Sequence, residues 1–372
     1  MKNPFLLYGY KSPELFCDRE IEVQKLINAI ENGRNITLIS LRRIGKTGLI
    51  KHLLYHINRE KNIQNTLYLD IMSTTNLSDM VKEISTSLLL FERQRSKRFL
   101  ENISELISGI KAKLSFNAIT GAPELEFGYK SENESINDLN LLFSYIGSHK
   151  HPFIIAFDEF QQISTYPEKN VEAWFRKFSQ EYPDIRFIFS GSSKHILETM
   201  FTNSSRPFYQ SSEILYLNRI NTNTYASFVH HHFTLGKKHI DIALIKEWLD
   251  ILDNYTFYVQ YFFNKVFAVN TRRYTHQILY DACYGILKER ENIFINYRNL
   301  LTNNQFQLAK AIAKESGVEQ PNAQVFIQKH KLPSASSVNT ALSTLVNKEM
   351  IYYEKGLYKV YDHFFSLWLK SL

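Results

Sequence analysis

Cysteine is nearly absent from this chain: its 372 residues include two, Cys17 and Cys283. They lie far apart, and neither stands in a C-x-x-C pair or a metal-ligand spacing. That excludes a disulfide framework and a cysteine zinc site, and a reducing, cytoplasmic setting is expected. Long apolar runs are missing too. The stretch YTFYVQYFFNKVF is too short to cross a bilayer and carries Asn264 and Lys265, so no membrane partner is expected. The first residues, MKNPFLLYGYKSPELF, have no long apolar centre and no cleavage site, which argues against a signal peptide. No internal repeat or low-complexity tract occurs. One further absence is a single glycine. The stretch SLRRIGKTGL, Ser40 to Leu49, ends like a phosphate-binding loop but opens on serine.

What is present is ordinary for a globular protein of two or three domains: 44% hydrophobic and 22% charged residues. Aromatic residues reach 14%, with 27 Phe and 22 Tyr, enough to fill a substantial core. The net charge of +7 and pI near 9.0 suit a nucleic acid or acidic partner, and equally a solvated surface.

The runs at 35–41 and 65–72 read as buried strands, 151–163 as an apolar strand ending in two acids, 185–193 as another strand and 213–220 as a fifth. Helical periodicity follows several of them; Leu49, Ile50, Leu53, Leu54 and Ile57 fall on one face. Strands alternating with helices imply an α/β domain with a mostly parallel five-stranded sheet, spanning 1–220. Residues 92–135 read as an insertion: a basic amphipathic helix, then a hairpin about a Thr-Gly-Ala-Pro turn. The charged run ERQRSKR is expected to be a solvated helix face. Residues 221–302 read as a helical, aromatic-rich domain. Residues 303–372 read as three helices, a strand pair around EKG and a closing aromatic helix.

The chemistry is carried by two motifs. In Gly-x-x-x-x-Gly-Lys-[Ser/Thr], backbone amides cradle phosphate, the lysine neutralises its charge and the hydroxyl reaches magnesium. Gly45, Lys46 and Thr47 fill the last positions, with Arg43, Ile44 and Gly48 around them, and Ser40 stands first. The first position needs a small residue, whereas Gly45 is harder to replace. A strand before the loop and a helix after it supply the required context. The second motif is FIIAFDEF, which ends a strand with Asp158 and Glu159. Such an aspartate holds magnesium, and the glutamate can polarise the attacking water. FIFSGSS follows on the next strand, where Ser192, or else Ser190, is the candidate to face the γ-phosphate.

These segments together resemble the archaeal-type ATPases, a branch of the STAND class of P-loop NTPases related to AAA+ proteins. LFCDREIEVQKL (15–26) is similar to the motif that precedes the first strand and packs near the adenine, which makes Asp18 and Arg19 candidates for nucleotide binding. SLRRIGKT, FIIAFDEFQQI and FIFSGSS are similar to that family's phosphate loop and following strands. SSRPFYQSSEILYLNRI resembles its segment with an arginine near the nucleotide. The C-terminal SSVNTALSTLVNKEMI and YKVYDHFFSLWL resemble its winged helix and tail. The resemblance implies an ASCE-type sheet, a helical lid, a winged helix, and ATP with magnesium as ligands. It assigns Lys46 and Thr47 to phosphate and magnesium, Asp158 to magnesium, Glu159 to base catalysis and Arg206 to an arginine finger or sensor. The chain departs from the family in opening the loop on Ser40-Leu41, in DNYTFYVQ, which lacks the lid's Gly-x-Pro-like turn, and in Asp362-His363-Phe364-Phe365, which lacks a proline.

The expected function is a slow ATPase acting as a regulatory switch, with oligomerisation able to follow nucleotide state. The alternatives are a nucleotide-dependent DNA-binding regulator and a protein-interaction scaffold with a structural ATP site. In the helix at 334–350, Asn339, Thr340, Ser343 and Thr344 point outward with little Arg or Lys, so either DNA or protein could be its partner. His230, His231 and His232 read as a polar helix end. His52 and His56 are four apart, but Leu53 stands where a zinc protease needs glutamate.

Overall fold

The computed structural model describes residues 2–60, 65–95, 99–118, 123–128 and 130–372. The chain divides into two compact units. One runs from Tyr8 to Ile220; the other joins Asn221–Leu372 to the residues up to Leu7.

The first unit follows the order α1 (Glu20–Glu31), β1 (Ile36–Ile39), α2 (Lys46–Glu60), β2 (Thr66–Asp70), α3 (Leu77–Arg95), α4 (Phe99–Gly109), β3 (Lys113–Phe116), β4 (Pro123–Glu126), α5 (Glu132–Gly147), β5 (Phe153–Asp158), α6 (Val171–Glu181), β6 (Ile185–Gly191), α7 (Lys194–Thr202) and β7 (Glu213–Tyr216). The five expected strands form one sheet in the order β2-β5-β6-β1-β7, and every pairing is parallel. All residues of β1 and β5 are buried, because helices cover both faces and leave no polar side to the strand. The rings of Phe157, Phe187 and Phe189 stack across β5 and β6 within 6.3 Å. Parallel strands put their carboxyl ends on one edge, so the loop after β1, the acids ending β5 and the serines ending β6 converge there.

The insertion lies between α3 and α5. Its hairpin pairs β3 with β4 antiparallel. Of the expected turn, Thr120, Gly121 and Ala122 lie outside the described residues, and Pro123 begins β4. Residues 96–98 of the charged run also lie outside them. Arg93, Gln94 and Arg95 of that run are exposed, as a solvated face requires, and of its described residues Glu92 alone departs from it. It is buried, and it meets His149 Nε2 at 3.0 Å. His149 Nδ1 lies 3.1 Å from the carbonyls of Tyr145 and Ile146 at the C-terminal end of α5, so the ring bridges that end to Glu92 on α3. A helix surface that packs on a second helix buries its polar residues when these are paired, and charge pattern alone does not report the pairing.

The second unit contains α8 (Thr222–Leu235), α9 (Ile242–Ile251), α10 (Thr256–Ala268), α11 (His276–Glu289), α12 (Glu291–Asn299), α13 (Asn303–Lys314), α14 (Gln324–His330), α15 (Ala335–Asn347), β8 (Ile351–Glu354), β9 (Leu357–Val360) and α16 (His363–Ser371). Its aromatic core includes Trp248 stacked on Phe262 at 4.2 Å. Phe5, 1% exposed, fits among Phe233, Phe263 and Phe267 at 5.8–5.9 Å. Asn3 and Asn264 fix that segment, each donating its side-chain amide to a backbone carbonyl, of Asn264 and Phe5 respectively. His232 is buried in the same cluster, so it is not part of a polar helix end; Phe228 covers it at 4.4 Å.

From α13 onward, three helices precede an antiparallel hairpin and a last helix. Thr302 and Gln305 form a capping box on α13, Ser334 caps α15, and Asp362 caps α16 through the amides of Phe364 and Phe365 at 3.0 Å. The hairpin turns on Lys355 (φ 49°) and Gly356 (φ 84°), two left-handed residues whose twist matches paired strands.

Candidate active site

The loop from Ser40 to Gly45 joins β1 to α2. Ser40 is buried and donates its hydroxyl to the Leu41 carbonyl at 2.8 Å. Its φ is not positive, so this position makes no conformational demand that only glycine meets. The left-handed positions are Arg43 (φ 68°) and Gly45 (φ 102°). Gly45 therefore sits where a side chain would be strained. Ile44 anchors the loop in the core at 2% exposure. Intrahelical bonding starts with the Leu49 amide on the Gly45 carbonyl at 2.9 Å. The preceding amides at the start of α2 have no intrahelical partner and give the N-terminus its affinity for anions. Gly48 packs against Phe16; a Cβ there would lie 3.2 Å from the ring.

Two motifs more than a hundred residues apart meet at Asp158. Thr47 Oγ1 donates to Asp158 Oδ2 at 2.6 Å, and Tyr68 Oη donates to the same oxygen at 2.8 Å. Ser190 Oγ donates to Oδ1 at 2.9 Å. Asp158 is 2% exposed, and these donors satisfy a carboxylate that would otherwise be costly to bury. Burial, and then the charge of Asp158, push the Tyr68 phenol well above its ordinary pKa, so it stays a donor.

Lys46 is buried beside both acids. Burial lowers its pKa, Glu159 and Asp158 oppose that shift, and Arg42 adds to it. Glu159 follows the end of β5 in a left-handed conformation (φ 58°), a strain that functional positions commonly retain. Its Oε2 accepts from Ser192 Oγ at 2.6 Å, from the Ser192 amide at 3.3 Å and from Gln161 Nε2 at 2.6 Å. Arg42 Nε donates to Ser192 Oγ at 3.1 Å.

Thr47, Asp158 and Ser190 thus form one hydrogen-bonded group and Glu159 with Ser192 another, with Lys46 beside both acids. Arg19 and Arg206 have their contacts elsewhere. Arg19 (φ 85°) donates to Glu22 at 2.8 Å and to the Asn218 carbonyl at 2.6 Å, which ties α1 to the segment after β7. Asp18 precedes it, also left-handed (φ 61°). Arg206 pairs with Glu172 on α6. Sequence reasoning missed Tyr68, Gln161 and Arg42. Tyr68 is found through register, since β2 pairs Asp70 with Asp158 and Tyr68 with Ala156. Gln161 and Arg42 each sit inside a quoted motif, yet nothing in the motif shows which carboxylate or hydroxyl they reach. His52 and His56, one turn further along α2, bring their Nε2 atoms within 3.2 Å, and Tyr10 reaches His52 Nδ1 at 2.9 Å. Among the described residues no group of three or more His, Cys, Asp or Glu could hold a metal ion.

The comparisons with known proteins agree with this architecture. A domain family described as "Probable winged helix domain" matches residues 292–371. No curated protein matches the sequence. Among solved structures, a Walker-type ATPase of Pyrococcus abyssi is similar over 99% of both chains, at TM-score 0.65 and 19% identity. The ORC2 protein of Aeropyrum pernix, in ADPNP–ADP complexes, is similar over 100% of this chain and 96% of its own, at 0.60 and 15%. The ORC1 protein of the same organism, in complex with DNA, is similar over the same shares, at 0.55 and 12%. At these identities the likeness is one of fold: a P-loop ATPase architecture with a winged helix at its C-terminal end.

Proposed function

We propose that this protein binds Mg-ATP between the loop of residues 40–48 and the acids ending β5, and hydrolyses it slowly as a regulatory switch. The observation that carries this reading is the 2.6 Å contact between Thr47 Oγ1 and Asp158 Oδ2. A hydroxyl and a carboxylate are hard oxygen donors, and magnesium at phosphate sites usually takes one or two protein ligands beside phosphate and water. The residues present therefore fit the ion. Bound there, magnesium would neutralise charge on the phosphate oxygens. Lys46 and the free amides at the start of α2 would hold the β- and γ-phosphates. Glu159 would take the proton of the attacking water, and Ser192 would set the direction of its carboxylate. The Asp18–Arg19 turn is proposed to border the nucleotide base. Arg206 is proposed as a sensing arginine, which must leave Glu172 to reach a phosphate. The helical unit and its winged helix would carry the output.

Phosphate release by purified protein, measured for wild type, Glu159→Gln and Thr47→Ala, tests the reading. Glu159→Gln should keep nucleotide binding and lose turnover by about 100-fold or more, the size of a general base contribution. Thr47→Ala should lose the magnesium dependence of binding. Full turnover in Glu159→Gln would sink the catalytic assignment.

A second reading, nucleotide-dependent DNA binding, is favoured by the exposed Asn339, Thr340 and Ser343 on α15. Such side chains can bond base edges or phosphates when a helix enters the major groove. Duplex binding that weakens with salt and is lost in Asn339→Ala/Ser343→Ala would support it; salt-insensitive or unaltered binding would count against it.

A further inference from the structure

Gln161 is buried at 7% exposure two residues beyond Glu159. Its Nε2 donates to Glu159 Oε2 at 2.6 Å, while its Oε1 has no hydrogen-bond partner among the described residues. That oxygen lies against Gly191, the last residue of β6. A Cβ on Gly191 would stand 2.0 Å from Gln161 Oε1 and 3.1 Å from its Cδ. Gly191 does not have a positive φ, so space, not backbone conformation, demands glycine here. A buried amide with one oxygen unsatisfied is destabilising, and an apolar side chain would avoid that. The feature the amide supplies and an apolar group cannot is its donor to Glu159.

We infer that Gln161 is a positioning residue for Glu159, and that Gly191 provides the notch that admits it. Together with Ser192, Gln161 fixes Oε2 and leaves Oε1 of the carboxylate outside the set of donors, as the oxygen that can meet water. Pairing of Gly191 with Ile39 places the notch beside the strand that leads into the phosphate loop. The inference rests on the reading of Glu159 as the group that accepts the water's proton.

The test compares Gln161→Leu, Gly191→Ala and the double variant. Gln161→Leu should lower single-turnover hydrolysis by about 10–100-fold, the effect of misplacing a reacting group by about an ångström, with the ATP Kd within about twofold of wild type. Gly191→Ala should match it, because the added methyl displaces the same amide. The double variant should be no worse than either single one, since both changes break one interaction. Crystal structures of the variants without nucleotide should show the Glu159 carboxylate turned from its wild-type direction. Wild-type rates in Gln161→Leu, multiplying losses in the double variant, or an unmoved carboxylate would each overturn the inference. If Gly191→Ala does not fold, Gln161→Leu decides alone. Lack of turnover by the wild type would contradict the ATPase reading instead, and the carboxylate direction would still decide the role of Gln161.

Discussion

Arg42 and Ser192 are joined by a 3.1 Å hydrogen bond from guanidinium Nε to hydroxyl Oγ. Arg42 belongs to the loop that would receive phosphate, and Ser192 holds the carboxylate of Glu159. One serine therefore stands between the phosphate loop and the proposed base. A phosphate drawing on Arg42 would alter the donor set around Glu159.

Arg42→Ala is expected to weaken Mg-ATP binding by about tenfold, in line with about 1.5–3 kcal/mol for a hydrogen bond to a charged group, part of which water restores. It should also lower turnover beyond that loss, through Ser192. Binding by calorimetry and turnover at saturating nucleotide separate the two effects. An unchanged saturated rate would mean that the contact transmits nothing.

Lys46 gives a dependence on pH. Burial lowers its pKa in the free protein, and phosphate charge would raise it in the complex. Binding then takes up a proton wherever the free lysine is neutral. Affinity should be full below the free-state pKa of Lys46 and fall as pH rises through it, at lower pH than for an exposed lysine. Calorimetry in buffers of different ionisation enthalpy reports the proton directly. Lys46→Arg should bind with a flatter profile, because arginine remains charged.

The Arg206–Glu172 pair concerns stability. Burial raises the Glu172 pKa, and Arg206 opposes the shift. Removing the arginine leaves a half-buried carboxylate without its partner, so Arg206→Ala should lower unfolding free energy by about 1–3 kcal/mol at neutral pH. A raised folded-state pKa means that protonation favours the folded protein, so the deficit should shrink as pH falls into the range where Glu172 is protonated. Urea unfolding at neutral and acid pH checks both statements.

Phe5 predicts where the chain's first residues matter. Its ring fills a site among Phe233, Phe263 and Phe267 in the helical unit. Phe5→Ala should destabilise that unit by about 3–5 kcal/mol. Amide hydrogen exchange should accelerate in α8 and α10 and stay unchanged in β5 and β6. Equal acceleration in the sheet would contradict the assignment of these residues to the helical unit.

Much of this fold was legible in the sequence because its sheet is parallel and buried. Apolar runs gave the strands, most plainly β1 and β5, whose residues are all buried, and the strand–loop–helix around Gly45-Lys46-Thr47 gave the edge where the site lies. The ends of the strands were legible too, since Asp158 and Ser190 are polar residues in apolar company. Side-chain partners that depend on register or packing were not. Tyr68 reaches Asp158 only because β2 pairs with β5 in one register. Glu92 looked solvated until α3 packed on α5 beside His149. Gly191 stands in FIFSGSS with nothing to mark its role, which is to make room for the amide of Gln161 across the strand end. Ser40 looked like a defect by comparison with the motif, and its backbone conformation removes the objection.

The most direct measurement is a calorimetric titration of Mg-ATP into the wild-type protein and into Lys46→Ala. Saturable one-site binding by the wild type, lost or weakened by about 100-fold or more without the lysine, is the expected result. Equal binding by both, or no binding by the wild type, would contradict a phosphate site at residues 40–48.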